Sequence, residues 1–223
     1  MSVLGIDTAT AASAVCVLRS DGELFEIEPG AGRLAERPAH AAELMPAVAS
    51  CIEESGVAWE ELEAIAVGVG PGMFTGLRIG IATARGLATS SGVELRPVSS
   101  LAALAAGAGD GPVLALIDAR RGEVFAALHD GGATVWEPFA AAPEAVAERL
   151  REREIGTLAV GDGAVRFREV LEAAGARVPA GDSRVHVVRA LSICRLAAAA
   201  APAPVAAVLP EYLRLPDARP RTA

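Results

Sequence analysis

One pattern occurs twice in this chain and restricts its fold more than any other feature. Leu4-Gly5-Ile6-Asp7, an apolar run ending on an aspartate, precedes strand-like Ser13 to Arg19, a Ser20-Asp21-Gly22 turn and strand-like Glu23 to Glu28. About 110 residues later, Ala115-Leu116-Ile117-Asp118 precedes Glu123 to His129, an Asp130-Gly131-Gly132 turn and Ala133 to Trp136. Each meander is followed by alternating helix and strand patterns. In the first half, Leu44, Met45, Val48, Ala49 and Ile52 share one helical face, in a helix that ends near Ser55-Gly56 and that Pro46 either kinks or starts. An apolar strand, Ala64 to Gly70, then leads through Gly70-Pro71-Gly72 to a helix capped by Thr75 and running to about Ser91, before a strand from Glu94 to Val98. In the second half the order is a helix over 143–153, a strand over 157–161, a helix over 164–174 and a last helix over 188–200. The expectation is an α/β protein built from a duplicated βββαβα unit. The Ala- and Gly-rich piece Leu101 to Gly111 marks the boundary between lobes at 1–110 and 111–223.

Composition closes several functional classes. All 20 basic residues are arginine, so there is no P-loop lysine, no Schiff-base lysine and no lysine for a kinase ATP site. A formal charge of −8 without a basic run is unsuited to gripping nucleic acid alone, because phosphate neutralisation supplies most non-specific affinity. RNA is therefore expected to be held mainly by a partner. Cys16, Cys51 and Cys194 lie far apart in apolar stretches, which suits buried thiols in a reducing cytoplasm. The chain opens directly on Val3-Leu4-Gly5-Ile6, so no signal peptide is expected. The longest apolar stretch, Val187 to Leu209, is broken by Arg189, Arg195, Pro202 and Pro204, so no membrane segment is expected.

Asp7 with Thr8 and Thr10 could meet a metal–phosphate complex, with Asp118 as its mirror across a cleft; both aspartates could equally satisfy backbone N–H groups in tight turns. The run Gly68 to Gly80 is a glycine-rich junction of strand and helix, able to hold an anion but lacking the P-loop lysine. Within its helix, Gly76, Gly80, Ala84 and Ala88 recur every four residues, a smooth stripe that admits another helix closely. That helix could belong to this fold or to a partner. His40, His129 and His186 are isolated, so no protein-bound metal is expected, and His40 with Glu43 reads as a helix-start pair. No Gly-x-Ser-x-Gly elbow is present. Arg120 and Arg121 follow a strand, where they could meet phosphate or pair with local acids.

Five segments in one order resemble the TsaB (YeaZ) family: Leu4 to Thr10, His40 to Pro46, Gly70 to Gly80, Asp118 to Val124 and Pro210 to Arg214. The resemblance implies two actin-like lobes (the ASKHA, ribonuclease H-like fold) and partnership with the catalytic subunit TsaD and the ATPase TsaE. That assembly transfers threonylcarbamoyl to the adenosine beside the tRNA anticodon. It implies no cofactor of the chain's own, ATP or ADP and a metal belonging to the partner subunits. Where the catalytic relatives carry two metal-binding histidines, this chain has Ser100 and Leu104, which cannot replace imidazoles. The helices over 40–54 and 75–91 would pack on the equivalent pair of the partner, with Leu44, Met45, Val48, Thr75, Gly76, Gly80 and Ala84 as the interface. Asp7, Thr8 and Asp118 are the residues of any retained nucleotide site. The glycoprotease label once attached to this superfamily is not carried over.

The expected function is thus a non-catalytic subunit, without catalytic residues of its own, that binds and activates a TsaD-type paralogue, with tRNA engaged through the complex and no membrane involved. Self-association through the same helices in the partner's absence is an open alternative. The rivals are a free-standing actin-fold ATPase or kinase using Asp7 and Asp118, and a peptidase-like hydrolase.

Overall fold

The computed structural model describes residues 1–153 and 156–214. In the first half, strands β1 (Val3–Asp7), β2 (Ala14–Leu18) and β3 (Leu24–Ile27) form an antiparallel meander, followed by helix α1 (His40–Ser55), strand β4 (Ala64–Gly70), helix α2 (Phe74–Ser91) and strand β5 (Glu94–Ser99). Helix α3 (Ser100–Ala106) leads to the second half, with the meander β6 (Val113–Arg120), β7 (Glu123–Asp130) and β8 (Ala133–Ala141), helix α4 (Pro143–Arg151), strand β9 (Thr157–Val160), helices α5 (Asp162–Arg166) and α6 (Arg168–Glu172), strand β10 (Ala176–Arg177) and helix α7 (Ala190–Ala197).

The two sheets share one topology. The first has the order β3-β2-β1-β4-β5 and the second β8-β7-β6-β9-β10, each with its meander antiparallel and its last two strands parallel. This is the duplicated α/β arrangement of the actin-like, ribonuclease H-like fold. Strands covered on both faces need side chains that tolerate burial on both, which is why β1 and β4 read as continuous apolar runs.

Alternation along β6 shows how the layers stack. Val113, Ala115, Ile117 and Ala119 belong to the core shared with the first sheet, whereas Leu114 and Leu116 belong to a second core with Val146 and Leu150 of α4 and Leu171 of α6. Helices α3 and α7 lie in the shared core, α3 against β4 to β7 and α7 against β1, β2, β4 and β5.

The structure departs from the sequence reading at several ends. Residues 190–214 return to the first sheet: α7 packs on β1 and β2, Ala203 N donates to Leu95 O at 2.9 Å and Glu211 N donates to Val69 O at 2.8 Å. A boundary at residue 110 therefore separates the sheets but not the cores, and the tail after Arg214 lies outside the described residues. Met73, not Thr75, occupies the N-cap of α2, and no side chain caps it. The helix expected over 164–174 is two helices broken at Phe167, whose φ of −112° and ψ of 30° leave the helical region. Pro46 lies inside α1 on its exposed side. Among the described residues, no helix is long and apolar enough to cross a membrane.

Candidate partner-binding face and inter-lobe cleft

The glycine-rich junction between β4 and α2 closes onto the tip of β1. Met73 N donates to Ala9 O at 2.7 Å, and Thr8 Oγ1 donates to Gly76 O at 2.8 Å. A Cβ on Gly72 would lie 2.4 Å from Ala9 O, one on Gly76 would lie 2.2 Å from Thr8 O, and one on Gly80 would lie 2.2 Å from Thr8 Oγ1. These glycines let the loop and α2 lie directly on the Thr8–Ala9 backbone.

The contact accounts for the stripe within this chain's own fold. Gly76, Gly80 and Ala84 are buried against this chain's own strands, and so are Leu44 and Val48 of α1. Of the interface residues expected from sequence, only Met45 and Thr75 face outward. A four-residue spacing of small residues establishes that something lies close, not which chain supplies it. The exposed positions are Ala41, Ala42, Met45, Pro46, Ala49, Glu53 and Glu54 on α1 and Phe74, Thr75, Arg78, Ala82, Gly86, Thr89 and Ser90 on α2.

Asp7, at the end of β1, is 1% exposed. Its Oδ2 accepts from Ser100 Oγ at 2.6 Å and its Oδ1 from Ala9 N at 2.9 Å. Ser100 Oγ also accepts from Gly70 N at 3.3 Å, so this serine ties β1 to the glycine-rich loop. Burial dominates over these hydrogen bonds and raises the Asp7 carboxyl to about 6. Thr8 is equally buried and spends its hydroxyl on Gly76.

Asp118, the matching residue of β6, has a different environment. It lines a cleft of about 280 Å³ with Arg120, Asp162, Val165, Arg166 and Gly181, under Ala31, Leu34 and Ala35 from the first lobe. Its Oδ1 accepts from Arg120 N at 2.8 Å, and its Oδ2 from Arg166 Nη1 at 2.8 Å and Arg120 Nη1 at 3.2 Å. Its own N–H donates to Asp162 Oδ1 at 2.9 Å, and burial pushes the Asp162 carboxyl up to about 6. Arg120 and Arg121 both adopt positive φ, 64° and 55°, in the turn from β6 to β7. Asp7 and Thr8 do not line this cleft, so the two aspartates that mirror each other in sequence do not share a site.

The histidines are separate. His40 Nδ1 meets Ser13 Oγ at 2.7 Å beside the start of α1. His186 Nδ1 accepts from Gly161 N at 3.1 Å while its Nε2 donates to the carbonyls of Pro179 and Ala180. His129 is buried on β7. Among the described residues, no group of three or more His, Cys, Asp or Glu side chains is placed to hold a metal ion. Leu104 is buried in the shared core. All three cysteines are buried and unpaired.

Sequence reasoning missed one contact entirely. Tyr212 stacks on Phe74, with ring centroids 5.4 Å apart, and receives a 2.9 Å hydrogen bond from Arg78 Nε. Both segments were visible as motifs, but nothing in either showed that residues 134 positions or more apart would meet.

A duplicated actin-like fold, with the first lobe's strand-tip aspartate sealed inside and small, mostly uncharged side chains on the outer face of α1 and α2, defines the class. The family model for TsaD, tRNA N6-adenosine threonylcarbamoyltransferase, matches residues 33–219. The Bacillus subtilis tRNA threonylcarbamoyladenosine biosynthesis protein TsaB is 30% identical over 98% of this chain and 96% of its own length. The Escherichia coli TsaB is 38% identical over 73% of this chain and 72% of its own length. Two Pseudomonas aeruginosa structures, one described as YeaZ and one as similar to peptidase YeaZ, superpose with TM-scores of 0.77 and 0.79 at 29% and 30% identity, over 95% and 96% of this chain and 99% of each of theirs. The chain belongs to the TsaB (YeaZ) family of tRNA threonylcarbamoyladenosine biosynthesis proteins.

Proposed function

We propose that this chain is the non-catalytic subunit that binds and activates a TsaD-type catalytic paralogue for threonylcarbamoyl transfer to the adenosine beside the tRNA anticodon. The observation that carries this reading is the outward surface of α1 and α2. Ala41, Ala42, Met45 and Ala49 lie on α1, with Thr75, Ala82 and Gly86 on α2, all exposed and uncharged. The two helices pack on each other. Small side chains let a second helix pair approach closely, and Met45 supplies an adaptable apolar contact. The interface therefore uses the outer positions of these helices, while the Gly76, Gly80 and Ala84 stripe holds α2 on its own sheet.

Two features favour an activating over a catalytic part. Asp7 and Thr8 are bonded internally, which disfavours a free-standing ATPase or kinase acting through them. Ser100, which the family resemblance sets where catalytic relatives carry a metal-binding histidine, donates to Asp7. In this proposal the nucleotide and metal are held by partner subunits, a TsaE-type ATPase completes the assembly, and tRNA is reached through the complex. The three buried thiols fit a cytoplasmic setting.

Light scattering after size exclusion, on the chain alone and mixed with the TsaD-type protein of the same genome, tests the proposal. A stable hetero-complex, with threonylcarbamoyl transfer that needs both proteins, is the expected result. Absence of a complex at micromolar concentration with ATP and the TsaE-type ATPase present would overturn it. A homodimer that dissociates on adding the partner would show self-association through the same face.

A further inference from the structure

Beside the helix face used above lies a second surface. Phe74, Arg78, Ile81 and Arg85 recur at three- and four-residue intervals and form one flank of α2, whereas Thr75 and Gly86 lie further round. Residues 209–212 run along the first flank, pinned by the Glu211 N to Val69 O bond and by the Tyr212 stack on Phe74. Between them is a groove of about 540 Å³ lined by Arg78, Ile81, Ala82, Arg85, Leu209, Pro210 and Tyr212.

Three of the seven exposed large apolar side chains among the described residues, Phe74, Leu209 and Tyr212, gather here. Leu209 is 61% exposed. Arg78 lies 3.8 Å over the Phe74 ring and bonds to a phenol, but to no carboxylate among the described residues. The guanidinium of Arg85 makes no hydrogen bond or ion pair among them. In a chain of net charge −8, at least nine of whose sixteen other described arginines pair with acids, two cations on the rim of an apolar groove add local positive charge.

We infer that this groove binds an extended acidic segment of a partner protein, with two carboxylates flanking one or two apolar side chains. The spacing follows from geometry. Arg78 and Arg85, seven residues apart on a helix, are separated by about 10 Å along its axis. Residues three apart in an extended polyproline-II segment lie on one face and span about 9 Å. The carboxylates meet the two guanidiniums, and the apolar side chains between them cover Ile81, Ala82, Leu209 and Pro210. Arg and Tyr, both of which line this groove, are among the residue types that dominate interface energetics. A single-stranded RNA could also stack on Phe74 and Tyr212, but two cations on a strongly acidic chain are a poor match for a polyphosphate.

The groove shares Arg78 and Ala82 with the outward positions of α2 but extends past them to Arg85 and residues 209–212, and it can be tested on the chain alone, without the helix-pair partner. Amide NMR spectra of the full chain are recorded with acetyl-Glu-Leu-Val-Glu-amide, with the same peptide carrying Gln for both Glu, and with a twelve-nucleotide oligouridine. Saturable shifts confined to residues 78–86 and 208–213 are expected for the acidic peptide. Its affinity should fall at least tenfold with the Gln peptide and with Arg85→Glu, and in the same direction with Arg85→Gln, which keeps the aliphatic stem. Equal response to both peptides, insensitivity to either Arg85 variant, shifts elsewhere, or no saturation at millimolar peptide would overturn the inference. Saturation by oligouridine without peptide binding would replace it with a nucleic-acid surface.

Discussion

The hydroxyl of Thr8 donates to the carbonyl of Gly76 at 2.8 Å, and the same oxygen lies 2.2 Å from where a Cβ on Gly80 would stand. Helix α2 is thereby held on the tip of β1 by a contact that leaves no room for a methyl group. Gly80→Ala is expected to lower unfolding free energy by about 1–3 kcal/mol through overpacking. Thr8→Ala removes the clashing oxygen, so the double variant should be more stable than Gly80→Ala alone, a non-additivity readable by urea denaturation of the four proteins. Simple additivity would mean that α2 shifts to accommodate the methyl.

The adjacent positions Leu44 and Met45 should behave oppositely. Leu44 is buried, so Leu44→Ala should cost about 2–5 kcal/mol of stability. Met45 is 47% exposed, so Met45→Asp should leave stability within about 0.5 kcal/mol while weakening the hetero-complex at least tenfold. Thermal unfolding and binding measured on the same preparations separate the two effects.

Asp7 carries a stability term whose sign is unusual for a carboxylate. Its folded value, about 6, is above the ordinary 3.8, so the native state holds a proton that the unfolded chain has already lost. The contribution is fully present below about pH 4 and is lost as pH rises through 6. Asp7→Asn keeps an acceptor for Ala9 N and needs no proton. It is expected to be more stable than the natural chain at pH 8, by up to about 3 kcal/mol, with the gap closing between pH 6 and 4. Urea midpoints across that range would refute the assignment if the gap did not change.

His186 acts in the opposite direction. Burial lowers its pKa, and Nδ1 accepts from Gly161 N while Nε2 donates to two carbonyls, an arrangement available only to the neutral ring. The unfolded chain takes up a proton below about pH 6.5 that the folded chain resists, so this contribution is present above that pH and declines as pH falls. His186→Gln should lose stability at pH 7.5 yet show a shallower loss between pH 7 and 5, measured against the natural chain by chemical denaturation.

The duplicated fold was legible because its signals are local. Apolar runs ending on Asp7 and Asp118, Gly-containing turns and helical periodicity each depend on neighbours within a few residues, and they located most of the elements. The ends that differed failed for tertiary reasons: α7 lies with the second half in sequence but packs on β1 and β2, and the Phe167 break comes from a residue with no breaker chemistry.

The sequence by itself determined that α2 must lie close to something and that no lysine-dependent chemistry operates here, because both follow from residue identity and spacing. Which face of α2 meets the chain's own strands, that Asp7 is sealed by Ser100 while Asp118 opens on a cleft, and that Tyr212 lies on Phe74 were decided only by tertiary structure. Periodicity gives the angle between side chains about a helix axis but not the direction in which the helix is docked, and contacts across 68, 93 and 134 residues are set by the packing of whole layers.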